Sequence, residues 1–271
     1  MPKVYVITGG AGGMGKAIAR RFCQKGIVLL ADVSAERLEQ AAAELQPIAA
    51  AEVVHRVVDI TNESQVNELA AAASGLGELG AIIHTGGLSP TMADARKILE
   101  VNSIGTGHIL KAFLPFAGQG SAAVCVASMA GHSTPRNAAY DAILTQPLAP
   151  DFIEKMMPFT QNNPGAAYGL SKLGVILMVE DQAWDWGRKG ARIVSVSPGT
   201  IDTPMGRQEA ARQPMMKQLL DMTPLGREGT ADEIAAAVEF LCSGESSYIT
   251  GTDLRVDGGT TANVQKLNRQ K

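Results

Sequence analysis

Two side chains four positions apart, Tyr168 and Lys172, offer the clearest chemistry in this sequence. On a helix they would leave the same face, one turn apart. A phenol ordinarily loses its proton near pH ~10, and a neighbouring ammonium favours the phenolate and moves the pKa of the phenol toward neutral pH. The pair is therefore a candidate for acid–base catalysis. The same spacing arises by chance on solvated helices, so its meaning depends on the elements that position it.

A glycine-rich turn, Gly9 to Gly15, follows the first apolar segment and opens the first predicted helix. Glycines allow positive φ and let a pyrophosphate come close to the backbone, while the helix N-terminus adds oriented N–H groups. The turn therefore predicts a dinucleotide site. The alternative is a turn that serves tight packing alone.

The second predicted strand ends at Asp32, which is followed by Val33. A carboxylate at this place can accept hydrogen bonds from both ribose hydroxyls of an adenosine, and it repels the extra phosphate of NADP. Val33 brings no positive charge to offset that repulsion. We therefore expect NAD(H) to be preferred over NADP(H), unless Asp32 only begins the next turn.

Apolar periodicity predicts the elements that hold these residues. Val/Ile/Leu-rich segments alternate with amphipathic ones, which is typical of a parallel sheet with helices on both faces. We expect a single dinucleotide-binding domain over residues 1–271, with a doubly wound, mostly parallel, seven-stranded α/β sheet of the Rossmann type. The predicted strands are 3–8, 27–32, 53–58, 80–84, 121–127, 191–196 and 253–256, and the predicted helices are 14–25, 35–46, 63–74, 94–115, 165–188 and 230–242.

Two segments interrupt this alternation: an insertion at about 129–164 and a predicted substrate lid at about 200–225. Long excursions at the carboxyl ends of parallel strands are where substrate pockets form. Their methionines and Phe159 suggest a flexible apolar pocket for bulky alicyclic or steroid-like compounds, or for ordinary lipophilic carbonyls. Alternatively, these side chains pack against the protein or a neighbouring subunit. They are Met156, Met157, Phe159, Met205, Met215, Met216 and Met222.

Composition and net charge limit the classes of binding partner that we expect. The net charge is −3 with no basic stripe, so nucleic acid is not expected. The three cysteines lack metal-ligand spacing, which predicts reduced thiols in a cytoplasmic protein and no metal. The first strand begins close to the N-terminus, and no apolar run nears the ~20 residues needed to cross a bilayer, so neither a signal region nor a membrane partner is expected.

Together, the glycine turn, Asp32 and the Tyr168/Lys172 pair resemble the short-chain dehydrogenase/reductase family over nearly the whole chain. The turn matches the family's Thr-Gly-x-x-x-Gly-x-Gly pattern, beginning at Thr8. The resemblance implies hydride transfer between NAD(H) and a small-molecule secondary alcohol or ketone, by a homodimer or homotetramer. It implies cofactor contacts at Gly9, Gly13, Met14, Gly15, Asp32, Val33, Asp59, Ile60, Gly86, Gly87, Tyr168, Lys172, Pro198, Gly199, Ile201 and Thr203.

The resemblance also implies catalytic roles. Ser128, at the end of the fifth strand, would hold the substrate oxygen, and Tyr168 would transfer the proton. Lys172 would lower the pKa of the tyrosine and bind the nicotinamide ribose, while Asn102 would anchor a water relay behind the lysine. Asp59 could instead cap the helix that follows it.

Two departures from the family pattern matter. The family usually has Asn-Asn-Ala-Gly after the fourth strand, where this chain has His84-Thr85-Gly86-Gly87. We interpret His84 as filling the structural place of the missing asparagine, with a catalytic role as the alternative. The family's tyrosine also follows the serine much sooner than Tyr168 follows Ser128.

Tyr140 lies at the customary distance, but Leu144 stands four residues beyond it and cannot lower the pKa of a phenol. Tyr168 is therefore favoured, behind an insertion similar to that of the branch with bacterial 3α-hydroxysteroid dehydrogenase/carbonyl reductases. Two other functions stay open: a non-catalytic NAD-binding sensor or scaffold, and an epimerase or dehydratase acting on nucleotide sugars.

Overall fold

The computed structural model describes residues 1–212 and 215–270, and their side chains apart from those of residues 209–216. Its main sheet has seven parallel strands in the order β3-β2-β1-β4-β5-β6-β9. This confirms the predicted doubly wound Rossmann-type α/β fold. The strands are β1 (Lys3–Thr8), β2 (Ile27–Asp32), β3 (Val53–Val57), β4 (Glu78–His84), β5 (Ala122–Val126), β6 (Arg192–Pro198) and β9 (Thr252–Val256), and a separate parallel pair comprises β7 (Ile201–Asp202) and β8 (Gly229–Thr230).

Helices cover both faces of this sheet. The described helices are α1 (Gly13–Phe22), α2 (Ala35–Leu45), α3 (Glu63–Leu76), α4 (Ala95–Leu99), α5 (Gly105–Phe113), α6 (Met129–Ser133), α7 (Ala138–Leu144), α8 (Phe152–Thr160), α9 (Pro164–Asp181), α10 (Ala183–Arg188), α11 (Pro204–Arg212), α12 (Met215–Asp221), α13 (Ala231–Cys242) and α14 (Thr260–Asn268). Within these residues, no helix is long and apolar enough to cross a membrane.

Two helix predictions need correction, and α14 was not predicted. The helix predicted over 94–115 is broken by a π-helical turn, Glu100–Ile104, between α4 and α5. The helix predicted over 165–188 is two helices, α9 and α10. The tail after the last strand contains α14, because the Asp257 carboxylate accepts hydrogen bonds from backbone N–H groups at the start of that helix.

The inner strands β2 and β5 are almost wholly apolar because both of their faces are buried, whereas the edge strands β3 and β9 carry exposed polar side chains. In β2, Leu29 and Ala31 belong to the core on the α3, α5 and α9 side, whereas Val28 and Leu30 belong to the core on the α1, α2 and α13 side. Alternating side chains point to opposite faces of a strand, so the centre of a doubly covered sheet favours apolar residues.

The insertion helices α7 and α8 build a third core against α4 and α9. Met156 is fully buried in this core, so it packs against the protein and does not face the cleft at the carboxyl ends of the strands. Gly107 on α5 lets the insertion come close, because a Cβ there would lie 2.8 Å from Pro147. The core comprises Ala95, Ile98, Leu99, Tyr140, Leu144, Phe152, Ile153, Met156, Ala167, Leu170, Leu173 and Leu177.

Candidate active site

A cleft opens at the carboxyl ends of β4, β5 and β6, where parallel strands place ligand sites. It brings together nine of the predicted catalytic and cofactor-binding residues. Those nine are Met14, Gly87, Ser128, Tyr168, Lys172, Pro198, Gly199, Ile201 and Thr203. The remaining site candidates lie along the glycine turn, at the end of β2, after β3 and behind the loop that follows β4.

Helix α9 presents Tyr168 and Lys172 to this cleft. It begins at Pro164, and the Asn163 side chain accepts a hydrogen bond from Ala166 N at 3.0 Å. Lys172 Nζ lies 5.8 Å from the centre of the Tyr168 ring and donates to the Val126 carbonyl at 2.8 Å. The lysine is buried and the tyrosine half-buried, so a partly desolvated cation stands beside a phenol that faces the cleft.

Ser128 reaches the same cleft from β5, at the N-terminus of α6. Its Oγ accepts a hydrogen bond from Ala130 N at 3.1 Å, which leaves the hydroxyl proton for donation to another group. Helix α6 lies directly on α9, because a Cβ at Gly131 would come within 2.9 Å of the Lys172 backbone. Close backbone packing thus holds the first helix of the insertion, and Ser128 directly before it, against α9.

Asn102 is buried in the π-helical turn, one layer behind the cleft. Its Oδ1 accepts from Leu88 N at 2.7 Å, and its Nδ2 donates to Leu88 O at 3.0 Å and to Ser171 Oγ at 3.1 Å. A Cβ at Gly87 would lie 3.2 Å from Asn102 Oδ1 and 3.6 Å from Lys172 Nζ. Asn102 therefore ties the loop after β4 to α9 beside the lysine. Single π turns of this kind are frequent at functional sites.

Both ring nitrogens of His84, at the end of β4, form hydrogen bonds. The Thr106 hydroxyl donates to Asn102 O at 2.6 Å, so it accepts from His84 Nε2–H at 3.0 Å. His84 Nδ1 then accepts from the Thr8 hydroxyl at 2.6 Å. Burial, with a smaller effect of the Lys172 charge, lowers the pKa of His84 to about 3. The imidazole is neutral and joins β1, β4 and α5, which supports the structural interpretation of this residue.

We expect His84 to make the folded state sensitive to acid. Its pKa is about 3 in the folded state against 6.5 for an ordinary histidine, so the unfolded chain binds the proton first as the pH falls below 6.5. As the pH falls from 7 to 5, His84 should lower the free energy of unfolding by about 2 kcal/mol. Urea titrations of wild type and His84→Asn at both pH values measure the difference. His55→Asn, at an exposed histidine, should keep the wild-type pH dependence; equal slopes for all three proteins would contradict the expectation.

The glycine turn is shaped by contacts that exclude side chains. Gly9 has φ +66°, and a Cβ there would lie 2.8 Å from Gly86 N. A Cβ at Gly15 would overlap the carbonyl oxygen of Gly9, and one at Gly13 would lie 3.2 Å from Thr203. The turn therefore passes close to the loop after β4 and to the segment after β6, with α1 beginning at Gly13.

Asp32, at the end of β2, accepts three hydrogen bonds on one carboxylate oxygen. Its Oδ1 accepts from Val33 N at 2.8 Å, from Ser34 N at 3.4 Å and from Arg37 Nη2 at 3.1 Å. The expectation that nothing positive offsets Asp32 considered only Val33 and was incomplete, because the first turn of α2 brings an arginine to the carboxylate.

Asp59 follows β3 and closes a local turn. Its Oδ1 accepts from Thr61 N at 2.9 Å and from the Thr61 hydroxyl at 2.7 Å. The next helix, α3, is capped by Asn62, so the alternative that Asp59 caps that helix is wrong. The neighbouring Ile60 packs against Gly105, where a Cβ would lie 2.7 Å from its side chain.

Tyr140 is held inside the third core. Its hydroxyl donates to the Pro135 carbonyl, and its ring packs edge-on against Phe159 with centroids 5.3 Å apart. Burial, together with the neighbouring Asp141 charge, raises the pKa of Tyr140. These contacts suit a packing role and not proton transfer at neutral pH.

Sequence reasoning missed several residues of the cleft. Thr85 donates to Thr8 O at 2.8 Å and so holds the glycine turn, and Leu88 and Ser89 line the cleft beside the catalytic candidates. Met205, which the sequence suggested for an apolar pocket, lines the same cleft. Their position directly after β4, or after the Pro198-Gly199 segment, was the available signal, because loops at the carboxyl ends of parallel strands form such sites.

Comparison with known proteins gives consistent matches. The family profile described as short chain dehydrogenase matches residues 3–142, and the profile described as Enoyl-(Acyl carrier protein) reductase matches residues 153–261. The chain is 34% identical to short-chain dehydrogenase/reductase bsc3 of Alternaria brassicicola, over 95% of each chain. It is 30% identical to galactitol 2-dehydrogenase (L-tagatose-forming) of Cereibacter sphaeroides, covering 94% of this chain and 93% of that one. The crystal structure of a levodione reductase superimposes with a TM-score of 0.76 at 30% identity, over 96% of this chain and 98% of that one.

Proposed function

Because the chain belongs to the short-chain dehydrogenase/reductase family, we propose that it is an oxidoreductase that transfers hydride between NAD(H) and a secondary alcohol or ketone. The observation that carries this proposal is that Ser128, Tyr168 and Lys172 share one cleft with Ile201 and Thr203. The resemblance to the inserted-loop branch, the substrate lid at about 200–225 and the assignment of each site residue stay parts of the proposal.

The residues present fit a nicotinamide dinucleotide. Gly9, Gly13 and Gly15 have no room for a Cβ without displacing neighbouring atoms, so they keep the backbone accessible to a pyrophosphate. Asp32 ends β2, where a carboxylate can accept hydrogen bonds from ribose hydroxyls. Ile201 and Thr203 line the cleft, where they would contact the nicotinamide carboxamide. When bound, this cofactor supplies or accepts the hydride.

The chain's own residues would handle the oxygen and its proton. Ser128 would donate its hydroxyl proton in a hydrogen bond to the substrate oxygen, because its Oγ already accepts from Ala130 N. Tyr168 would give a proton to that oxygen in reduction and take one from the alcohol in oxidation. Lys172 would favour the phenolate through its charge, and Asn102 would hold the loop and helix on either side of the lysine.

The side chains that line the cleft favour a lipophilic substrate with few polar groups. Met14, Leu88 and Met205 supply apolar surface near Tyr168, while Ser89 adds one hydroxyl. The insertion contributes to the core through Met156 and thus supports the cleft from behind. Side chains 215 and 216 of the proposed lid lie outside the described residues. The proposal therefore includes bulky alicyclic or steroid-like compounds as well as smaller ketones, and the galactitol and levodione enzymes make polyols and levodione natural additions to the panel.

Oxidation of NADH with a ketone panel, and reduction of NAD with the matching alcohols, tests this function. We expect turnover with at least one secondary alcohol/ketone pair and a lower KM for NAD(H) than for NADP(H). Cofactor binding without turnover on any pair would favour a sensor or scaffold. Conversion of a nucleotide sugar without net change in NADH absorbance would favour an epimerase or dehydratase.

We also propose that the chain forms a homodimer or homotetramer. The α4/α9 surface is covered by the insertion helices, whereas Phe240 on α13 and Leu254 on β9 expose apolar side chains at the open edge of the sheet. An assembly would therefore use this edge and leave α9 buried within each subunit. A monomer in sedimentation velocity at micromolar concentration would contradict the proposal.

A reducing compartment such as the cytoplasm suits the thiols. Cys23, Cys125 and Cys242 are free cysteines, and burial raises the pKa of Cys125 to about 12. A thiol of this kind is inert and needs no disulfide partner. Fractionation of the native cells tests the location.

A further inference from the structure

A hydrogen-bond network joins α6, the helix that Ser128 caps, to the strands β6 and β9. Its centre is Asp253 on β9, whose side chain is only 5% exposed. Asp253 Oδ1 accepts from the hydroxyls of Ser195 at 2.6 Å and Ser197 at 3.0 Å, both on the neighbouring strand β6. His132 on α6 donates from Nε2 to Asp253 Oδ2 at 2.7 Å, because a carboxylate oxygen only accepts. These four side chains lie outside the lining of the cleft.

Helix α6 is held from two sides. It has five residues, of which Gly131 faces α9, where a Cβ would lie 2.9 Å from the Lys172 backbone. The next residue, His132, faces β9 through its hydrogen bond to the carboxylate. The hydroxyls of Ser133 and Thr134 donate to carbonyls of the helix itself. The hydrogen bond of His132 thus fixes the side of α6 that α9 does not.

From this arrangement we propose that His132 is a positioning residue of the reaction, which acts through α6 to hold the Ser128 hydroxyl where it binds the substrate oxygen. The inference rests on the proposed function, in which Ser128 donates to that oxygen. Ser128 is the N-cap of α6 and its Oγ accepts from Ala130 N at 3.1 Å, so a shift of this short helix moves the hydroxyl with it. A misplacement of about 1 Å near the reacting atoms can cost ~10²-fold in rate.

Asp253 is suited to be the fixed end of this contact. A buried carboxylate needs hydrogen-bond partners, and two serine hydroxyls and one imidazole provide three. Strand β6, which carries both serines, ends at Pro198, and Pro198 and Gly199 line the cleft. The network therefore ties the helix of Ser128 to the strand that leads into the cofactor side of the cleft. Hydride transfer requires that the substrate oxygen and the nicotinamide keep a fixed relative position.

A double-mutant cycle with Ser128 tests this inference. Wild type, His132→Leu, Ser128→Ala and the double variant are compared in the single-turnover rate of NADH oxidation by stopped flow, with the panel ketone that wild type reduces fastest, and in NADH affinity by fluorescence titration. We expect His132→Leu to lower the rate about tenfold and to change NADH affinity less than about threefold. Ser128→Ala should lose ~10²-fold or more. In the Ser128→Ala background, His132→Leu should lower the rate by less than about twofold, because its effect passes through the missing hydroxyl.

Further variants separate positioning from packing. His132→Gln keeps an N–H donor near the place of Nε2, so it should restore the rate to within about threefold of wild type. His132→Asn, whose amide is shorter than the imidazole, takes the place of the leucine variant if that protein does not fold. His55→Leu, at an exposed histidine on β3, should keep the wild-type rate.

The possible failures are distinct. The role of His132 is wrong, and the proposed function stands, if His132→Leu keeps the wild-type rate or lowers it by the same factor with and without the Ser128 hydroxyl. A glutamine variant as slow as the leucine variant would likewise reduce His132 to a packing residue. If wild type reduces no ketone of the panel, the proposed function itself is wrong, and the inference with it.

Discussion

Tyr168→Phe should lose ~10²-fold or more in turnover in both directions while its affinity for NAD(H) changes little. The substitution removes one hydroxyl from a half-buried ring and leaves α9 with the same packing volume. In the proposed mechanism this phenol carries the proton, and the phenylalanine of the variant has no hydroxyl that could do so. Stopped-flow or steady-state measurement of kcat, with calorimetry for the cofactor, separates loss of chemistry from loss of binding.

Tyr140→Phe is the matched control for that substitution. It removes a hydroxyl that donates to the Pro135 carbonyl within the insertion, away from the cleft residues. We expect it to keep turnover within about threefold and to lower stability by about 1 kcal/mol, the typical net value of one hydrogen bond. The reverse pattern, a large loss of turnover in Tyr140→Phe and none in Tyr168→Phe, would transfer the catalytic role to Tyr140.

Lys172→Met should reduce alcohol oxidation at pH 7 by ~10²-fold, with part of the activity returning as the pH is raised. In the proposed mechanism the ammonium, 5.8 Å from the ring centre of Tyr168, would favour the phenolate that takes the alcohol's proton. Without that charge the phenol ionises at higher pH, so the rising limb of the pH–rate profile should move to alkaline pH. Profiles of kcat/KM from pH 6 to pH 10 measure the shift.

Lys111→Met removes a lysine that pairs with Glu63 on the surface, and it should leave the profile unchanged. Because Lys172 also donates to the Val126 carbonyl, its loss could simply distort the cleft. A distorted cleft would lower the rate by the same factor at every pH. That outcome would contradict the charge effect that we assign to Lys172.

The sequence predicted the sheet and the segments that meet at the site, because short patterns along the chain determine both. Strands buried on both faces are continuously apolar, as in β2, and the glycine turn lies where a strand must meet a helix. The helix predicted from residue 165 begins one residue after α9 does, and the four-residue spacing gave the common face of Tyr168 and Lys172. The carboxyl ends of parallel strands then meet at one edge, so Ser128 and the Pro198-Gly199 segment were expected there.

Other features depended on contacts between distant segments. The burial of Met156 needs α4 and α9 as partners, and a methionine suits a core and a flexible pocket equally well. The hydrogen bonds of His84 join it to Thr8 and Thr106, which no spacing along the chain relates. Arg37 is only five residues from Asp32, but its reach to the carboxylate depends on where α2 begins.

The third core also makes the packing of α9 independent of protein concentration. Because α7 and α8 are covalently joined to α9, they act at a high and constant effective concentration. A helix supported by a separate subunit would lose that support as the complex dissociates. In this chain the support for Tyr168 and Lys172 is intramolecular, so a single subunit on its own would retain the packing that holds this pair in place.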